Sequence, residues 1–143
     1  MVNNNSHRIL FPEECRIKKT ARGGEIIKNG PVYDLDLAKE LLRTNNFLVV
    51  NESAREDKKS EFNPEMSDDE LVAFVLALTE NHFQTSERCK TSEGDIVDCD
   101  GYAMKWNRLR KKEWEYASKI YVKFGFAVSD ELMLVLCIHP STW

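Results

Sequence analysis

The sequence predicts an α+β domain in which a small antiparallel β-sheet is packed by two to three helices. Three observations carry that expectation. SKIYVKFGFAV, starting at Ser118, alternates with a period of two, so Ile120, Val122, Phe124, Phe126 and Val128 share one face. LMLVLCI (Leu132–Ile138) follows as a nearly unbroken apolar run, the pattern of a strand covered on both sides. ELVAFVLALTE is a wide apolar stretch at helical spacing, opened by Ser67-Asp68-Asp69-Glu70, in which serine and glutamate can satisfy each other's amides.

Taken in order, residues 1–30 show little periodicity and end in the turn signal Gly30-Pro31, so they are expected to be an extension. The first 8 are expected to be mobile, and Ile26 and Ile27 can add an edge strand. Residues 31–143 form the single folded domain. YDLDLAKELLRTNN spaces Leu35, Ala38, Leu41 and Leu42 as a helix, with Asp34 or Asp36 at its start and Asn45-Asn46 at its end. FLVV (Phe47–Val50) reads as a short buried strand. NESAREDKKSEFNPEM is polar and holds Pro64, so a loop or a weak helical turn is expected. After the long helix, NHFQTSERCK turns into a strand, and Gly94-Asp95 links it to IVDCDGYAMKW. WNRLRKKEWEYA then leads into the C-terminal hairpin, whose turn is Ser129-Asp130 and whose second strand stops near Pro140.

A chain of 143 residues is long enough for one proper core. No apolar run approaches the roughly 20 residues of a membrane span, and the start has no basic and apolar signal pattern. Cys15, Cys89, Cys99 and Cys137 fit neither a disulfide framework nor a zinc spacing. A reducing, cytoplasmic setting with free thiols is therefore expected, with a Cys89–Cys99 pairing across a hairpin as the exception. No metal-ligand grouping and no Gly-rich phosphate loop is present, so no metal, cofactor or membrane partner is expected. The net charge of −4 argues against indiscriminate nucleic-acid binding, but the charge is uneven. Residues 51–100 carry 5 basic and 14 acidic side chains, whereas residues 101–125 carry 7 basic and 2 acidic. That second stretch can hold a local phosphate-attracting field.

Candidate functional residues follow from the alternation. The face of the first hairpin strand that is not apolar carries Tyr121 and Lys123, and His139 lies just past the second strand. His82, at a helix end, reads as structural. Trp106, Trp114 and Tyr116 interleave with Arg108, Arg110, Lys111 and Lys112, a mixture that suits single-stranded RNA by stacking and phosphate contact. It suits a protein partner as well, and an ordinary loop that packs its tryptophans inward is the plainest alternative.

YDLDLAKELL, LALTENHFQTS, CDGY, IYVKF and LVLCIH, in this order between about Tyr33 and His139, resemble the MqsR-like toxins of type II toxin–antitoxin systems. The resemblance implies a RelE-like fold, metal-independent cleavage of messenger RNA, and neutralisation by an antitoxin encoded alongside. In the family the helix-ending motif reads approximately F-Y-K-S, with a functional lysine. Here Phe83, Gln84, Thr85 and Ser86 stand there, and the lysine is missing. The family's Q-D-V-Y becomes Cys99, Asp100, Gly101 and Tyr102, and its functional glutamine is lost. The Y-x-K strand motif is intact as Tyr121 and Lys123, and His139 occupies the position where the family carries His or Lys. Tyr121, Lys123 and His139 are thus the expected catalytic residues, and Lys105, Arg108, Arg110, Lys111 and Tyr102 the expected RNA contacts. The two losses also admit a binding module on the same fold that has lost its chemistry.

Overall fold

The structure is a computed structural model, and it describes residues 25–27, 29–91, 94, 96–127 and 131–141. Its centre is the C-terminal hairpin, β6 (Lys119–Phe126) paired antiparallel with β7 (Met133–Pro140). Ile120, Val122, Phe124 and Phe126 are buried, as the period of two predicts. Met133, Leu134, Val135 and Leu136 are buried on both faces, as expected of so apolar a strand. Val128 and the Ser129-Asp130 turn lie outside the described residues.

The sheet is larger than the small antiparallel one expected, and it is mixed. Among the described residues, seven strands run in the order β1-β3-β4-β6-β7-β2, with β5 (Lys112–Glu113) pairing β4 off this path. β3 (Phe83–Lys90) and β4 (Ile96–Asn107) form the second hairpin, whose link includes Gly94 at φ +92, the left-handed region where a glycine is at no disadvantage. Asp95 lies outside the described residues. β1 (Glu25–Ile27) is the edge strand foreseen at Ile26 and Ile27, and it extends the sheet antiparallel to β3. β2 (Phe47–Val49) pairs β7 in parallel, through Asn46 O to Met133 N and Val135 O to Val50 N, each at 3.0 Å. Periodicity identifies a strand but carries no direction. Phe47 and Met133 are also too far apart in sequence for a hairpin to impose one. As an edge strand β2 is only partly covered, not buried as expected, and Leu48 is exposed.

α1 (Leu35–Arg43) starts where Asp34 accepts a hydrogen bond from Asp36 N at 3.0 Å. It ends at Thr44, with Asn45 in the left-handed conformation at φ 60. Leu35, Ala38, Leu41 and Leu42 form its buried stripe. α2 (Glu52–Ser60) is a regular helix where the sequence predicts a loop or a weak helical turn. Its residues are good helix formers, but Ala54 alone is buried, so no apolar stripe announced it. It continues the sheet edge beyond β2, with Asn51 Nδ2 donating to Leu136 O and Arg55 Nη1 to Val49 O.

α3 (Asp68–Ala77) is capped by Ser67, whose hydroxyl accepts from Glu70 N at 3.1 Å. The return half of the expected box is absent because the Glu70 carboxylate is taken by Arg108, at 2.6 and 2.8 Å. Leu71, Phe74, Val75 and Leu78 pack against Tyr102, Met104, Trp106, Ile120 and Val122. Phe74 meets the Trp106 ring edge-on at 5.5 Å. The helix stops at Ala77, short of the apolar pattern, and a 3₁₀ turn (Glu80–His82) leads into β3. His82 is structural here for a different reason than a helix dipole: Nδ1 accepts from Thr79 N at 2.9 Å and Nε2 donates to Glu113 at 2.8 Å. Among the described residues no helix is long and apolar enough to cross a membrane.

Candidate functional site

One face of the sheet packs on α1 and α3; the chemistry-bearing residues lie on the other. Cross-strand register defines their rows. Lys123 of β6 stands opposite Gly101 of β4 and Cys137 of β7; Tyr121 stands opposite Ala103 and His139; Lys119 stands opposite Lys105. On β3, Thr85 faces Gly101 and Glu87 faces Cys99.

Two irregularities assemble this face. The β6–β7 ladder steps from Lys123↔Cys137 to Phe124↔Val135, which leaves Leu136 as an extra residue. A strand's side chains alternate faces, so one extra residue reverses everything beyond it. Val135 and Ile138 both join the helix-side core, and His139 shares the opposite face with Tyr121. Without that bulge His139 would point among the helices. The β3–β4 ladder has a matching step between Phe83↔Tyr102 and Thr85↔Gly101. Phe83 therefore packs edge-on against Tyr102 in the core, while Thr85 turns to the site.

The Tyr121 ring sits 5.4 Å from that of His139, centroid to centroid. Its hydroxyl reaches across β4, because a side chain on Gly101 would collide with the phenol. Only glycine leaves room for this close approach. The Tyr121 oxygen is thus carried from its own row toward that of Lys123. The Lys123 ammonium lies 3.9 Å from Glu87. Burial opposes its charge, but the acidic groups around it, Cys89, Glu87, Tyr121 and Cys99, outweigh burial and raise its pKa well above the ordinary lysine range. Lys123 is therefore a fixed cation, not a base. Burial is the largest influence on Tyr121 as well, and it keeps the phenol protonated against the pull of Lys123. His139 Nδ1 lies 2.8 Å from Pro140 O. A carbonyl only accepts, so Nδ1 carries the proton of that bond and Nε2 is left to exchange one.

Three thiols surround this group. Cys89, Cys99 and Cys137 are free; Cys89 and Cys99 are diagonal neighbours in the β3–β4 ladder with no disulfide between them, and their thiols donate to Glu87 O at 3.9 Å and Val97 O at 3.7 Å. The neighbouring Cys99 is the main cause lowering the Cys89 pKa, against burial, and Lys123 adds to it. Burial pushes Cys99 well up and Cys137 up to about 11. Since the thiolate is the reactive form, Cys89 is expected to be alkylated before Cys99 and Cys137, and at lower pH than an ordinary cysteine. Mass spectrometry of iodoacetamide-treated protein checks this; first labelling at Cys137 would contradict it. Among the described residues no group of three or more His, Cys, Asp or Glu side chains is placed to hold a metal ion.

The expected RNA contacts divide. Lys105 is exposed on the site face. Arg110 and Lys111 are exposed on the β4–β5 turn, where Lys111 adopts φ 55. Tyr102, expected as an RNA contact, is instead fully buried between Phe83 and Phe124, because even positions of β4 face the helices, and burial pushes its phenol up to about 12. Arg108 is also turned away, held by both Glu70 oxygens and seated 5.2 Å over the Phe62 ring. Trp106 is buried in the core, whereas Trp114 and Tyr116 stay exposed, edge to face at 5.5 Å. Lys119, Glu87 and Gly101 belong to the site face although the motifs did not single them out for it. For Lys119 the signal was available, since it continues the Tyr121, Lys123 alternation. No protein-family model matches the chain, and no curated protein matches it in sequence.

Proposed function

We propose that the chain is a toxin-type endoribonuclease of the MqsR-like, RelE-like kind, which cleaves single-stranded messenger RNA without a metal and is neutralised by a cognate antitoxin. The observation that carries this reading is the shared sheet face. Thr85, Cys99, Tyr121, Lys123 and His139, the positions singled out by the resemblance, all turn to it, two of them by way of bulges.

The chemistry is attack of an RNA 2′-hydroxyl on the adjacent phosphorus, with departure of the 5′-oxygen and formation of a 2′,3′-cyclic phosphate. Charge grows on the non-bridging oxygens, where fixed donors act best in a partly dry site. Lys123, held charged, and the Tyr121 hydroxyl, held protonated, are such donors. His139 Nε2 moves the proton that the carbonyl-bound Nδ1 cannot.

Purified protein incubated with mixed-sequence single-stranded RNA in EDTA tests the proposal. Discrete cuts with cyclic phosphate ends are expected, and Lys123→Ala should abolish them. Intact RNA, with and without ribosomes, would overturn it. A second reading draws on Thr85 and Cys99: the family's lysine and glutamine are absent from this face, so the same surface can bind RNA without cutting it.

A further inference from the structure

Beyond the reacting group, the same face carries a feature that the core does not explain. Lys105 and Lys119 stand directly opposite one another on β4 and β6, an arrangement in which like charges destabilise a sheet. Neither takes part in an ion pair among the described residues. On the other side of β4, Trp114 N donates to Lys105 O at 3.1 Å, and the β4–β5 register brings Trp114 alongside Lys105. Trp114 is 46% exposed and Tyr116 77% exposed. The facing cations thus have the Trp114 backbone across β4 from them, and the exposed Trp114 ring in turn meets that of Tyr116. The line from Lys119 through Lys105 to Trp114 runs across the strands and meets Tyr121 and Lys123 at Lys119, since Lys119, Tyr121 and Lys123 follow each other along β6 at two-residue steps of about 6.6 Å.

We propose that this row, Lys105, Lys119, Trp114 and Tyr116, is a binding track for the single-stranded RNA flanking the scissile phosphate. The lysine pair straddles a backbone phosphate, whose charge relieves their repulsion, and the aromatic pair stacks a base beyond it. Stacking and phosphate contact are sequence-tolerant, so the track contributes affinity and direction, while sequence choice lies nearer Tyr121 and His139. The inference rests on the RNA reading above and extends it to residues outside the reacting group.

The test uses the full chain and a fluorescent 2′-O-methyl oligonucleotide, which cannot be cut, titrated at several salt concentrations. Lys105→Gln/Lys119→Gln is expected to weaken binding and to flatten the slope of log K against log salt by about 0.7, the share of the one single-strand phosphate that the pair neutralises. Trp114→Ala should weaken binding about five-fold or more with the slope unchanged. Wild-type affinity and slope in these variants, alongside weakening by Lys123→Ala, would overturn the track and leave the RNA reading standing. Absence of binding by the wild-type protein would overturn both.

Discussion

Asp100→Ala is expected to lower the unfolding free energy by about 3 kcal/mol or more, the range found when a buried charged group is removed from the partners that satisfy it. Asp100 is fully buried and accepts from Val32 N and Tyr33 N at 2.8 Å and from Ser86 Oγ at 2.6 Å. Those three donors tie the entry of α1 to the β3–β4 hairpin, and alanine leaves all of them without an acceptor. Asp100→Asn separates charge from geometry. Its remaining oxygen can keep the bonds from Val32 and Ser86, which share Oδ1, but the amide then confronts the Tyr33 N–H, donor against donor. A loss of about 1–2 kcal/mol is expected for it. Urea unfolding measures both, and an unchanged midpoint for Asp100→Ala would show that these contacts do not hold α1 in place.

The same residue shows what the sequence made legible and what it did not. Alternation identified β6 correctly down to the face of each side chain, because Ile120 to Phe126 follow an unbroken period of two. The caps at Asp34 and Ser67 placed two helix starts, since capping is a local interaction between neighbours. α2 escaped because its stability comes from propensity and from edge contacts such as Asn51 to Leu136, neither of which leaves an apolar period. The direction of β2 escaped because register between remote segments is not a local property. For the site, the Cys99-Asp100-Gly101-Tyr102 motif read as one unit, yet the pleat splits it. Cys99 and Gly101 face Lys123 and Tyr121, while Asp100 and Tyr102 face the helices. Alternation alone would have excluded Tyr102 as an RNA contact. His139 is the harder case, since LMLVLCI is apolar throughout and gives no sign of the extra residue at Leu136. The bulge that delivers the imidazole is silent in sequence.

In the proposed reaction, His139→Ala is expected to reduce RNA cleavage about 10²–10⁴-fold, the usual contribution of a positioned general acid–base group. Lys123 is held charged by its acidic neighbours, and Tyr121 is held protonated mainly by burial, so neither takes up a proton near neutrality. The imidazole is the side chain suited to that exchange, and its bond to Pro140 O leaves one nitrogen to perform it. Substitution should change stability by no more than about 1 kcal/mol, because His139 is only partly buried and the adjacent Ile138 supplies the core contact. Two further variants divide binding from proton transfer. Tyr121→Phe keeps the ring against His139 and removes one donor, so it should lower the rate less than His139→Ala while leaving substrate affinity nearly unchanged. Lys123→Ala should lower affinity and rate together, because its charge acts on the phosphate in both the bound and the reacting state. Added imidazole should restore part of the cleavage in His139→Ala and none in Lys123→Ala. Cleavage by His139→Ala at the wild-type rate would remove the histidine from the mechanism.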